Sequence, residues 1–142
     1  MQRTTAQRLV FHGALLFLLG LLTGFVSPLA ANPRMGLSAH LEGLMNGTFL
    51  IALGAVWSYV RLGPRAERTA FWLLLYGTYV NWASVGLAAV TGASRLMPIA
   101  GKGHSGPAWA EALVGFGLVS LSLAMVAALA LVLWGLVQRN EA

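Results

Sequence analysis

Four long apolar stretches constrain the fold of this chain more than any other feature. They cover about residues 9–30, 38–60, 70–91 and 107–137. Each is long enough to cross a bilayer, which takes about 20 mostly apolar residues in a helix. Lipid offers no partner for a backbone N–H or C=O group, so spanning segments of this kind must be helical. We therefore expect an all-α, integral membrane four-helix bundle that forms a single domain over residues 1–142.

The composition of the chain agrees with lipid as its main solvent. Of its 142 residues, 58% are hydrophobic and only 9% are charged, whereas soluble domains carry about 25% charged residues. The chain has no cysteine, which excludes disulfides, thiolate metal ligands and a cysteine nucleophile. Its net charge of +5 comes from basic residues scattered through the connections. That distribution is typical of topology signals and does not indicate a nucleic-acid partner.

The basic residues predict how the bundle is oriented. Cytoplasmic connections of membrane proteins are enriched in arginine and lysine. One side of the predicted bundle carries Arg3, Arg8, Arg61, Arg65, Arg68 and Arg139. The other side carries Arg34, Arg95 and Lys102. We therefore expect both termini and the connection over residues 61–69 to be cytoplasmic, in a multi-pass protein of the bacterial inner membrane.

Polar side chains gather on the opposite, non-cytoplasmic side of the predicted bundle. His40, Glu42 and Asn46 lie in the second predicted helix, and His104 and Glu111 lie where the fourth begins. Ionisable groups are costly inside a bilayer, so those found in membrane helices are functional candidates. The orientation places all five residues at the same end of the bundle.

Four of these residues also have a purely structural interpretation. Glu42 and Glu111 would each form an ion pair with a basic residue such as Arg34 at the membrane interface. Asn46 would hydrogen-bond to a neighbouring helix, because a buried carboxamide needs partners. His40 would be an interfacial histidine bonded to a neighbour. The residues alone do not decide between these interpretations and a role in a site.

Two further features concern the second and third helices. Gly43 and Gly47 lie four residues apart, a spacing that lets another helix, or a flat cofactor, approach closely. Asn81 lies near the middle of the third predicted helix and has no obvious partner on that helix, which makes it a candidate site residue. Ser38 is the expected N-terminal cap of the second helix, so Glu42 would lie in its first turn.

Several runs of this sequence resemble hydroxylaminobenzene mutases. They are residues 8–13, residues 32–43 with the segment Asn-Pro-Arg-Met-Gly-Leu, residues 45–47 and residues 111–117. Members of that family are small integral membrane enzymes that isomerise an aryl hydroxylamine to an aminophenol. The resemblance implies an isomerase whose substrate is an aromatic hydroxylamine, such as hydroxylaminobenzene, and whose product is 2-aminophenol.

A more distant similarity is to the styrene oxide isomerases. It rests on Ala39-His40 and Asn46-Gly47, which match an Ala-His and an Asn-Gly motif of the same spacing. That family binds haem b between the subunits of a trimer, and the haem iron acts as a Lewis acid. The similarity implies haem b as the cofactor, His40 as the iron ligand, Asn46 as a substrate-positioning amide, and a homo-oligomer of three chains.

The proposed chemistry gives roles to the remaining candidates. Either Glu42 or Glu111 would stabilise positive charge on the ring or remove the ring proton, with Asn81 as a further catalytic candidate. Besides His40, the candidates for contact with the cofactor are Gly43, Gly47, His104 and Arg34. The match to the styrene oxide isomerases has limits, because the tyrosine that family uses falls near Ala88 and its residue aligned with Glu42 is not acidic.

Two other functions are compatible with the same residues. A small proton-coupled exporter would use a membrane-embedded Glu42 as a shared proton and substrate site. A haem-binding electron-transfer subunit would use His40 and His104 as paired ligands. Both functions favour groups near the middle of the membrane, whereas these residues are predicted to lie near one end of their helices.

Overall fold

Five α-helices occur within residues 4–138, which are the residues that the computed structural model describes. They are α1 (Thr5–Val26), α2 (Pro33–Ala55), α3 (Pro64–Thr91), the short α4 (Pro98–Gly101) and α5 (Ala108–Val137). No strand occurs in this part of the chain, which confirms the all-α class. Arg3 and Arg139, on which the predicted orientation partly rests, lie outside the described residues.

Three of the helices in residues 4–138, namely α1, α3 and α5, are long and apolar enough to cross a membrane. Helix α2 has 23 residues and is long enough, but Arg34, His40, Glu42 and Asn46 make it more polar. The crossing of the bilayer by α2, the complete four-helix bundle and the location of the termini stay predictions.

Helix α2 begins five residues earlier than predicted. Asn32 is its N-terminal cap, since its Oδ1 accepts a hydrogen bond from the backbone N–H of Met35 at 3.1 Å, and Pro33 is the first helical residue. Ser38 as the cap was therefore wrong, because the Asn-Pro pair starts this helix instead of only ending the previous one. Glu42 becomes the tenth residue of α2, about 14 Å from its start.

The other helices show why their N-terminal ends are hard to predict. Helix α1 begins at Thr5, and its N-terminus is capped by a capping box in which Thr4 and Gln7 bond to each other's backbone N–H. Helix α3 begins at Pro64. Both starts precede the predicted ones by several residues because their first turns are polar and lie outside the apolar stretch. The end of α3 agrees with the prediction, since Thr91 is followed by Gly92 in the left-handed conformation, with φ of 80°.

Glycines bring α1 and α2 into close antiparallel contact. A Cβ atom at Gly13 would lie 2.7 Å from the carbonyl oxygen of Gly47, and one at Gly20 would lie 2.8 Å from the carbonyl carbon of Gly43. Small residues at such spacing let helix backbones approach directly. The faces of Gly43 and Gly47 are therefore covered by α1 in this chain.

Two apolar cores lie one above the other along the bundle. One contains residues from α1, α2, α3 and α5, among them Leu16, Leu50 and Leu74. The other lies nearer the end formed by α4 and includes Met35 and Ala88. Between these cores, α2 and α3 run antiparallel past each other and carry the polar side chains of the candidate site.

We predict that Gly43→Ala destabilises the bundle, because the added methyl group meets the Cα atom of Gly20. Overpacking of this kind costs about 1–3 kcal/mol. Thermal unfolding in detergent should show a clearly lower Tm than the wild type. Gly86→Ala is the matched control, since a Cβ at Gly86 meets nothing within 4 Å. Equal Tm values for the two variants would refute the close α1–α2 contact.

Candidate active site

Glu42, Asn46 and Asn81 form one hydrogen-bonded group between α2 and α3. The amide Nδ2 of Asn46 donates to Oε2 of Glu42 at 3.2 Å. The amide Nδ2 of Asn81 donates to the same oxygen at 2.5 Å. All three side chains are half-buried. Two amide donors compensate a carboxylate placed among apolar helices, and both bonds use Oε2, so neither occupies Oε1.

The helices explain why these three residues meet. Glu42 and Asn46 lie one turn apart on α2 and therefore share a face. Asn81 lies on α3, whose antiparallel course beside α2 also joins the Asn32 N–H to the Ala89 carbonyl at 3.0 Å. The sequence singled out all three residues separately, and the structure brings them together. It also supplies the partner that Asn81 lacks on its own helix.

His40 lies on the side of α2 that faces α1. Its Nδ1 is 2.8 Å from the carbonyl oxygen of Gly20. A carbonyl oxygen only accepts, so Nδ1 carries the proton and Nε2 of the neutral ring keeps its lone pair. The ring also packs against Gly24, where a Cβ atom would lie 2.7 Å from Nδ1. An imidazole oriented by a backbone carbonyl in this way is suited to bind a metal through Nε2.

His40 and Glu42 face different neighbours although only two residues separate them. Successive helical residues turn by about 100°, so these two side chains point to nearly opposite sides of α2. His40 contacts Gly20 of α1, whereas Glu42 contacts Asn81 of α3. Between them α2 presents the exposed apolar side chains of Leu41 and Met45. One chain alone therefore does not bring the imidazole and the carboxylate into a shared pocket on a single face of α2.

Glu111 has a different environment from Glu42. It is buried at the start of α5, where its two oxygens accept three backbone N–H bonds: from Ser94 at 3.0 Å, from Arg95 at 3.0 Å and from Gly106 at 3.1 Å. The expected ion pair with a basic side chain is replaced here by bonds to the backbone. These bonds fix the connection between α3 and α5 to the start of α5, so Glu111 has a structural role.

His104 and Arg34 do not belong to the hydrogen-bonded group of Glu42. His104 lies in the connection before α5, is exposed, and has Nδ1 2.8 Å from the carbonyl oxygen of Gly101. Arg34 is exposed in the first turn of α2, beside a cavity of about 420 Å³ whose other wall is residues 96–100. Within residues 4–138, no cluster of three or more His, Asp or Glu side chains could hold a metal ion.

Asn32 has a structural role that the sequence did not predict. Its side chain is 1% exposed. Besides capping α2, its Nδ2 donates to the carbonyl oxygens of Ala100 at 3.4 Å and Gly101 at 3.2 Å. Asn32 therefore ties α2 to α4, just as Glu111 ties α5 to the same connection. The Asn-Pro pair was the available signal, because Asn is a favoured cap and Pro a favoured first helical residue.

Two further polar contacts join α1 to α3 on either side of Asn81. Nδ1 of His12 lies 3.2 Å from the hydroxyl oxygen of Tyr79. Nε1 of Trp82 donates to the hydroxyl oxygen of Thr23 at 3.0 Å. Thr23 also borders an apolar cavity of about 360 Å³ between the ends of α1 and α3 and the start of α2. A cavity of that size and lining can accept a small apolar ring.

The chain matches the model of the styrene oxide isomerase family over residues 5–137. It is 55% identical over 132 residues to hydroxylaminobenzene mutase HabB of Ectopseudomonas oleovorans, which covers 92% of this chain and 80% of that relative. It is 46% identical over 127 residues to hydroxylaminobenzene mutase HabA of the same organism, covering 89% of this chain and 94% of that relative. No solved structure matches the chain.

We predict that Glu111→Ala loosens the connection between α3 and α5 because three backbone N–H groups lose their acceptor. The loss should be at least about 2 kcal/mol, since bonds to charged groups are among the stronger ones. Hydrogen exchange over residues 92–107 in detergent should become faster. Ser122→Ala is the control, since its hydroxyl is exposed and bonds only to Leu118 of its own helix. Unchanged exchange in Glu111→Ala would contradict this role.

Proposed function

Because the chain belongs to the styrene oxide isomerase family and is an isomerase, we propose that it converts an aryl hydroxylamine to the corresponding 2-aminophenol. The observation that carries this proposal is the 55% identity to a hydroxylaminobenzene mutase over nearly the whole chain. The hydrogen-bonded group of Glu42, Asn46 and Asn81 supports it, since it supplies a carboxylate in an otherwise apolar setting.

The proposed reaction moves a hydroxy group and changes no overall oxidation state. The N–O bond of the hydroxylamine breaks and a C–O bond forms at the ortho carbon. The ortho carbon loses its proton as the ring regains aromaticity, and the nitrogen gains one. During the transfer the ring carries positive charge, which a nearby carboxylate stabilises.

We assign the proton transfer to Glu42. Its Oε2 is held by Asn46 and Asn81, whereas Oε1 takes part in neither bond and is available to remove the ring proton. Asn46 and Asn81 act here as positioning residues for the carboxylate. Glu111, the other candidate from the sequence, is engaged by three backbone N–H groups, and we give it no part in the chemistry.

We also propose haem b as the cofactor, held by Nε2 of His40. The environment of His40 fits this, because Gly20 orients the ring and leaves Nε2 as the electron-pair donor. When bound, the iron would supply a Lewis acid for the oxygen of the hydroxylamine. The proposal keeps His40 and not His104 as the iron ligand, because His40 lies on α2 within the bundle whereas His104 is exposed in the connection before α5.

The opposite orientations of His40 and Glu42 support a homo-oligomer. The similarity to the styrene oxide isomerases implies that this homo-oligomer has three chains. The exposed strip of α2 between them, with Leu41 and Met45, is apolar. A second copy packed over that strip would complete a pocket that one chain leaves open. The bacterial inner membrane is the proposed location, in line with three helices of residues 4–138 that are able to span a bilayer.

One structural observation also favours a proton-coupled exporter. The sequence placed Glu42 in the first turn of its helix. In the structure Glu42 is the tenth of 23 residues in α2 and therefore lies near the middle of that helix. That position suits an exporter as well as an isomerase. The family of the chain favours the isomerase, and product formation by purified protein separates the two functions.

We predict that Glu42→Gln lowers kcat at least about 100-fold, since general-base catalysis contributes that much. The assay follows conversion of hydroxylaminobenzene to 2-aminophenol by purified protein, with chromatographic separation of products. Thr48→Ala is the control on the same helix, because its exposed hydroxyl bonds only to Leu44, and it should keep its activity. Wild-type protein that forms no aminophenol but exports the compound from liposomes would overturn the proposal.

We predict that His40→Ala loses the Soret absorbance of bound haem, whereas His104→Ala keeps it. The measurement is the absorbance spectrum of each detergent-purified variant after reconstitution with haem, and it does not depend on turnover. Full activity of wild-type protein without any Soret band would remove haem from the account. Haem retained in His40→Ala would show that another residue is the ligand.

A further inference from the structure

A polar cavity of about 340 Å³ lies where α1 and α3 begin. On α3 its residue Arg68 precedes Asn81 of the Glu42 group by 13 residues, which is about 20 Å along the helix. Its walls include Thr5, Arg8, Glu67, Arg68, Phe71 and Trp72. The isomerase chemistry uses none of these residues. The cavity differs from the mostly apolar one bordered by Thr23, because charged side chains of two helices converge on it.

Arg8 is held in this cavity by aromatic rings. Its guanidinium carbon lies 4.0 Å from the centre of the Phe71 ring and 5.8 Å from that of Trp72. A guanidinium that stacks on a ring uses its face and keeps the N–H donors of its edge available. Arg8 is therefore oriented in advance to bind an oxyanion through those donors.

The charge of the cavity wall is positive. Glu67 is its acidic residue, and Oε1 of that carboxylate accepts a hydrogen bond from Nε1 of Trp57 at 3.2 Å. Arg8 and Arg68 contribute two positive charges against this one negative charge. The wall therefore carries a net charge of +1 and favours an anion over a neutral or cationic group.

The position of the cavity favours a lipid. The apolar core begins directly beyond it, with buried Leu9 on α1 and buried Ala70 on α3, and Trp72 is 54% exposed. Tryptophan beside arginine marks the headgroup level of a bilayer. In the predicted orientation this end faces the cytoplasmic leaflet, whose lipids are partly anionic.

We propose that this cavity binds the phosphate of an anionic phospholipid headgroup, with Arg8 and Arg68 as its ligands. Guanidinium groups bind phosphate oxygens with two parallel hydrogen bonds, and two such groups converge here from different helices. The bound lipid bridges the starts of α1 and α3 at the membrane surface. This site is separate from the one that carries out the reaction.

The test compares lipid binding in three purified proteins. Phosphatidylglycerol and phosphatidylcholine are titrated into detergent-solubilised wild type, Arg8→Gln/Arg68→Gln and Arg65→Gln, and bound lipid is counted by native mass spectrometry. The wild type should prefer phosphatidylglycerol, and the double variant should bind it about 25-fold less tightly, since one arginine near a membrane surface contributes about five-fold. Arg65→Gln is the matched control, because Arg65 is exposed and lies outside the cavity wall.

Arg68→Gln alone keeps the test valid if the double variant is unstable, because Arg68 is exposed and its loss should weaken binding about five-fold. Equal binding of both lipids by the wild type would overturn the proposal. So would equal loss in Arg65→Gln. Inorganic phosphate that competes with the lipid at equal concentration would assign the cavity to a soluble phosphate compound instead.

Discussion

The hydrogen bonds from two carboxamides to Glu42 are the interaction on which the rest of the site depends. A carboxylate among apolar helices is stable only when polar groups compensate it. Asn46 supplies one donor from the same helix and Asn81 supplies another from α3. The second bond also fixes how far α2 is shifted along α3. The two apolar cores lie above and below this level, so the structure combines a polar centre with lipid-compatible packing on both sides.

The close contact of α1 with α2 sets the other half of the site. Because glycines let the two backbones touch, the carbonyl of Gly20 comes within 2.8 Å of His40 and fixes which ring nitrogen carries the proton. The same α2 helix thus presents the imidazole of His40 towards α1 and the carboxylate of Glu42 towards α3. That separation is the reason why the proposed function includes an assembly of several copies.

Much of this arrangement could be predicted from the sequence. The features that could not be predicted were missed for physical reasons that can be named. The apolar stretches located the long helices, and the spacing of Glu42 and Asn46 placed them on one face. The starts of α1, α2 and α3 were predicted too late because polar first turns carry no hydropathy signal. The partner of Asn81 and the contact of Gly43 depend on how two helices are aligned, which periodicity within one helix does not contain. Glu111 bonds to backbone N–H groups of a loop whose path no local pattern gives.

The central claim is that Asn81 acts through Glu42, and a double-mutant cycle on kcat/KM for hydroxylaminobenzene tests it most directly. The cycle compares Asn81→Ala, Glu42→Gln and the double variant, with product formation as the readout. If the two residues act as one unit, the double variant should be no slower than Glu42→Gln alone, which corresponds to a coupling energy above about 1 kcal/mol. Losses that multiply, or an Asn81→Ala variant as active as the wild type, would contradict the account.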